Sequence, residues 1–181
     1  MNAAGGDFLL FFLVFLYLSG AAFFDLRTGK IPNRYLIVWA AVFLIRAVFL
    51  GCVGPCLLET VVTAVILFPL FFFRMMGAGD VKLMALLGGV FGVREGFEVI
   101  FFGLSAAAVW SFFYMVRNGI FLKRIGYFLN YLKWMKQYLG YFSKDELPIP
   151  YYDAARDGRE AAFCLAPFIL LGYVVFLMGG M

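Results

Sequence analysis

Two aspartates stand at the edges of hydrophobic runs in this 181-residue chain, Asp25 directly after the run from Phe8 to Phe24 and Asp80 just before the run from Leu83 to Val93. Two carboxylates brought to one place can share a proton, because a second negative charge a few Å away raises one pKa while the other stays low. One then serves as base towards a water and the other as acid towards a leaving amine. The chain has no histidine, which removes Ser-His and Cys-His nucleophile pairs, His-Glu-x-x-His metal sites and any imidazole base. Its three cysteines, Cys52, Cys56 and Cys164, form no pair of Cys-x-x-Cys motifs, so no structural zinc site is expected. Cys52 and Cys56 could pair on an oxidising face, and the plainer reading is two small residues near a helix end. For hydrolytic chemistry the carboxylates lead, and they call for neither metal nor cofactor.

The elements that position them are set by composition. With 65% hydrophobic, 20% aromatic and only 14% charged residues, the chain lacks the polar groups to cover a soluble surface, where roughly 25% of residues are charged. The expected class is all-α, a polytopic membrane bundle of about six transmembrane helices. The runs read as spans are Phe8–Phe24, Tyr35–Cys52, Leu57–Phe73 with an expected kink at Pro69, Asp80–Gly96, Phe97–Val116 and Ala161–Met178. Gly51, Gly54 and Pro55 mark the turn between the second and third. The stretch before Phe8 carries Asp7 and no Lys or Arg, which is unlike a cleavable signal peptide, so the first run counts as a span.

Charge placement then orients the bundle. Six spans put thirteen of the fifteen Lys and Arg on one side and leave only Arg46 and Arg94 on the other. By the positive-inside rule the basic side is cytoplasmic and both termini lie outside. Arg46, Arg74 and Arg94 read as anchors at span ends, and Glu59, Glu95 and Glu98 take no role. Nothing favours nucleic acid, since the basic residues are strung between apolar runs. Residues 1–181 read as one membrane-embedded domain, with 118–160 as a long cytoplasmic basic loop between spans five and six. Within it, Phe121, Ile125, Phe128, Leu132, Met135, Leu139 and Phe142 recur at helical spacing opposite a basic face. That pattern fits an amphipathic helix on the cytoplasmic membrane surface, and equally an extension of the fifth span packed on the bundle.

The same topology brings Asp25 and Asp80 to the cytoplasmic edge together. Read singly, Asp25 is a common kind of interfacial residue and Gly77-Ala78-Gly79-Asp80 is a turn with an N-cap. Their coincidence on one face is the more informative fact. Gly77 and Gly79 would admit backbone conformations and close approaches that a side chain blocks. Asp80 would lie at a helix N-terminus near Lys82, Pro32 would fix φ in the first connector, and Asn33 would cap the second span.

These motifs carry a resemblance. Asp25-Leu26-Arg27-Thr28-Gly29-Lys30-Ile31-Pro32-Asn33 resembles the Asp-x-Arg-x-x-x-Ile-Pro-Asn signature of type IV prepilin peptidases. Gly77-Ala78-Gly79-Asp80-Val81-Lys82-Leu83 resembles that family's Gly-x-Gly-Asp-x-Lys-Leu block. Ala166-Pro167-Phe168 is similar to its late Gly-Pro-Phe segment, with Ala for Gly. The resemblance implies a membrane aspartic endopeptidase that removes the short basic leader of type IV prepilins or pseudopilins at the cytoplasmic face. Asp25 and Asp80 would be its catalytic pair, with Gly77, Gly79, Lys82, Pro32 and Asn33 supporting the site. Many members also carry an N-methyltransferase activity on a cytoplasmic insertion with two zinc-binding Cys-x-x-Cys pairs. This chain has neither, and so looks like the small peptidase-only forms. The acids of its long loop, from Asp145 to Glu160, are expected to help receive the basic leader.

A small proton- or ion-coupled transporter would use Asp25, Asp80 and Lys82 as relays, but would place acids deep within spans rather than at their edges. It would also commonly show an internal repeat, and none stands out. A structural subunit of a pilus or secretion system would need no intact aspartates. A presenilin-like protease shares Gly-x-Gly-Asp, but its other Asp follows Tyr, whereas Asp25 follows Phe24.

Overall fold

A computed structural model describes residues 3–73, 76–119, the single position 126 and 164–179. Among the described residues the chain is all-helical: α1 (Ala3–Thr28), α2 (Asn33–Phe49), α3 (Val53–Phe72), α4 (Ala78–Phe91), α5 (Val93–Arg117) and α6 (Ala166–Gly179). Phe8–Thr28, Val53–Phe72 and Val93–Arg117 are long and apolar enough to cross a membrane. The other three helices have 17, 14 and 14 residues. The amphipathic stretch from Ile120 to Phe142 and the acidic loop from Asp145 to Glu160 lie outside the described residues.

Several boundaries differ from the expected runs, each for a local reason. α1 does not stop at Phe24 but continues for a turn beyond, so Asp25 is helical. Gly29 ends it: with φ at 65° its N–H reaches the Asp25 carbonyl at 2.8 Å, a left-handed cap. Gly54 and Pro55 are not in the turn before α3 but in its first turn, where the N–H that proline lacks would have no partner anyway. The kink expected at Pro69 has little helix beyond it to redirect, because α3 ends at Phe72. The largest difference is α4, expected to run on to Gly96 and ending instead at Phe91. Gly92, with φ at 92°, breaks the chain between α4 and α5. Fourteen residues rise about 21 Å, short of the ~30 Å apolar core. Burial of Leu83, Met84, Leu87, Gly88 and Gly89 places α4 inside the bundle, so protein rather than lipid surrounds much of it.

The helices run alternately between two ends. Ile31, Gly79 and Ala166 gather at the end that holds Asp25. At the other, the close of α2, the start of α3 and the junction of α4 with α5 share one cleft. Apolar side chains gain little by leaving lipid for one another, so contact depends on backbones coming close, which small residues permit. A Cβ on Gly88 of α4 would collide with the Thr63 hydroxyl of α3, and one on Gly96 of α5 would lie 2.8 Å from the Gly88 Cα. A Cβ on Gly172 of α6 would strike the backbone of Gly103 on α5. Large apolar residues such as Phe12, Phe15, Ile66, Phe68, Phe101 and Phe113 point outward, as a lipid-facing exterior requires.

Because the obstacle to a side chain at Gly172 is backbone, it cannot rotate aside. Gly172→Leu is expected to destabilise the purified protein by about 1–3 kcal/mol, the usual cost of overpacking. Gly179→Leu, with nothing within 4 Å of its Cβ position, should melt like the parent in the same detergent.

Candidate active site

Asp25 belongs to a face of α1 that is otherwise apolar. Leu10, Val14, Tyr17, Leu18, Ala21 and Ala22 are buried at three- and four-residue intervals, and Asp25 continues the stripe at 6% exposure. A buried carboxylate must find donors, since burial without them costs several kcal/mol. The Ala166 N–H, at the start of α6, donates to Asp25 Oδ2 at 3.1 Å. Pro167 in the same first turn suits a helix start, where its missing N–H removes no intrahelical bond. The Cys164 thiol donates to the Asp25 carbonyl at 3.3 Å, so Cys164 before α6 and Ala166 at its start are both fastened to Asp25.

Asp80 is held by its own helix. Gly77 is the N-cap of α4 and Asp80 the third helical residue, from which its carboxylate turns back beside Gly77. That is the position of the returning residue in a capping box, and it keeps the carboxylate at the positive end of the α4 dipole. A Cβ at Gly77 would lie 3.0 Å from Asp80 Oδ2, so glycine leaves room for that return. The sequence expectation for Gly79 is not matched: a Cβ there would meet Ile31 at an ordinary 3.5 Å, and neither glycine has a positive φ.

The two carboxylates meet electrostatically. The Asp25 charge acts on Asp80, and the Cys164 thiol feels both. The motifs that carry them are joined a second time where Lys82 Nζ donates to Asn33 Oδ1 at 3.0 Å. Asn33 is therefore not the cap of α2. Pro32 is, with φ at −65° and ψ at 133°, and Asn33 as the first helical residue turns its side chain to Lys82. All seven site residues read from the sequence thus lie at one end of the bundle. Among the described residues, no group of three His, Cys, Asp or Glu converges to hold a metal ion.

Sequence reasoning missed the tyrosines. Tyr17 is fully buried two turns before Asp25, and its hydroxyl donates to the Leu83 carbonyl of α4 at 3.1 Å. The Tyr35 hydroxyl of α2 in turn donates to the Tyr17 carbonyl, with Gly20 leaving the space it occupies. Tyr17 thereby fixes the height of α1, which bears Asp25, against α4, which bears Asp80. The eight-residue spacing from Tyr17 to Asp25 along a helix face was the available signal. Tyr17→Phe keeps the ring and removes the bond, and should cost about 0.5–1.5 kcal/mol in a thermal or denaturant titration of the purified protein.

Among known proteins, the chain matches the type IV leader peptidase family over residues 8–112, which runs from α1 into α5 and contains both aspartate motifs. Neither the curated proteins nor the solved structures yielded a match. Ala166, whose amide holds Asp25, lies beyond the matched residues. With more than half its length matched and Asp25 and Asp80 both inside the match, the chain belongs to the type IV leader peptidase family, the prepilin peptidase hydrolases.

Proposed function

We propose that this protein is a membrane aspartic endopeptidase that cleaves the basic leader from type IV prepilin-like proteins, using Asp25 and Asp80 to activate water. The observation that carries this reading is the pairing itself: a buried Asp25 within electrostatic reach of Asp80, each on one of two motifs fastened together. In the cycle, the ionised carboxylate takes a proton from water as the water oxygen attacks the scissile carbonyl carbon. The protonated partner hydrogen-bonds the carbonyl oxygen as negative charge develops there. A proton then passes to the leaving amine as the C–N bond breaks, leaving the pair with one shared proton again. Neither histidine nor metal enters these steps.

The orientation that suits this chemistry places both termini outside and the aspartate end at the cytoplasmic face, as the thirteen-to-two distribution of Lys and Arg favours. α2, α4 and α6 complete six crossings in this reading, the shorter ones relying on protein neighbours at their ends. The basic leader meets the acids of the loop from Asp145 to Glu160, and the pilin's hydrophobic segment lies alongside the bundle in the bilayer.

Cleavage of a candidate prepilin by membranes carrying each variant tests this. Asp25→Asn and Asp80→Asn should each lower the rate by about 10²–10⁴-fold, the range of general acid–base catalysis, in protein that still folds. Cleavage surviving both would end the aspartic reading. Neutralising Asp145, Glu146, Asp153, Asp157 and Glu160 together should raise KM with kcat retained, and unchanged KM would remove the loop from substrate binding.

A further inference from the structure

The end of the bundle opposite the aspartates holds a cleft of about 200 Å³ that the peptidase chemistry does not use. α2 contributes Phe43 and Arg46, α3 with its cap contributes Cys52, Cys56 and Glu59, and Gly92 closes it at the junction of α4 and α5. Arg46 and Glu59 are both half-buried there, and both charges act on the Cys56 thiol that lies among them. A Cβ on Gly92 would stand 3.6 Å from the Glu59 carboxylate, so the absence of a side chain keeps that carboxylate accessible from the cleft. Yet the two charges do not pair with each other: among the described residues the ion pair is Arg94 with Glu98. Opposite charges that share a recess and leave each other free suit a ligand that brings one charge of each sign.

The surroundings say where such a ligand comes from. Beside the lining residues, Val48, Phe49 and Leu50 at the close of α2 and Leu57 and Leu58 at the start of α3 are all more than half exposed. A polar recess bordered by outward-facing apolar side chains at the end of a membrane helix matches an amphiphile, headgroup in the cleft and chains against the flanks. We propose that this cleft binds the headgroup of a zwitterionic phospholipid bearing a primary ammonium, with its phosphate on Arg46 and its ammonium at Glu59. The guanidinium offers a planar donor fork that fits phosphate oxygens, and the carboxylate accepts from the ammonium. Such a lipid would clamp the ends of α2, α3 and α4 together on the face remote from the active site.

The test needs no peptidase activity, so it can fail or succeed independently of the proposed function. Purified protein in detergent is melted with phosphatidylethanolamine, with phosphatidylglycerol or with water-soluble phosphoethanolamine, and bound lipid is counted by native mass spectrometry. Phosphatidylethanolamine should raise the melting temperature and remain bound, while phosphatidylglycerol, with no cation for Glu59, should do so more weakly. Arg46→Gln and Glu59→Gln should each weaken phosphatidylethanolamine binding about tenfold or more, the effect of losing one charge-assisted hydrogen bond. Equal retention of both lipids, or undiminished binding by both variants, would overturn the site. Phosphoethanolamine reproducing the full shift at equal concentration would overturn the lipid assignment in favour of a soluble zwitterion.

Discussion

A carboxylate at the end of an otherwise apolar helix face is the constraint on which this structure turns. Asp25 cannot sit at 6% exposure without donors, and α1 supplies no donor in its interior, since those amides are engaged in the helix itself. The donor comes from the start of α6, 141 residues away in sequence. That one bond obliges the last helix to return to the first and to begin at Asp25. α6 in turn lies against α5 through Gly103 and Gly172, and α5 follows α4 directly through Gly92. The carboxylate, its donor and the order of the later helices are thus one arrangement.

Asp80 meets the same requirement differently. Its carboxylate stays within its own helix, turned back beside Gly77 in the first turn of α4, where the helix dipole favours its charge. One aspartate therefore depends on tertiary structure and the other on secondary structure. What holds the two in fixed relation is polar but not ionic: Tyr17 to Leu83, Tyr35 to Tyr17, and Lys82 to Asn33. The two tyrosine bonds are buried or half-buried and have little competition from water, whereas the Lys82 to Asn33 bond is exposed, so it is chiefly the tyrosines that set the relative height of α1, α2 and α4.

Much of this was legible in the sequence because its signals were local. The apolar runs located all six described helices, and the Asp25 and Asp80 motifs, read from spacing and from the family resemblance, came to the same end of the bundle. The boundaries were less legible where a single backbone angle decided them. Gly92 reads like any glycine in an apolar stretch until its φ of 92° ends α4 and shortens the expected fourth span. Asn33 reads as a helix cap, a local preference, and is drawn instead to Lys82, 49 residues on. Ala166 offered no side-chain chemistry at all, and its contribution is an amide that every residue but proline possesses. Tyr17 was hidden for a related reason, since one more aromatic among 37 carries no distinguishing mark until its hydroxyl is seen to find a carbonyl.

The central claim is that Asp25 and Asp80 act as one unit, and a double-mutant cycle on prepilin cleavage addresses it directly. Residues that share a single catalytic step are strongly non-additive: once either is lost, losing the other changes little. The Asp25→Asn, Asp80→Asn double variant should therefore cleave no more slowly than the worse of the two single variants. A double variant whose loss equals the product of the two single losses would mean independent roles, and would contradict the shared site.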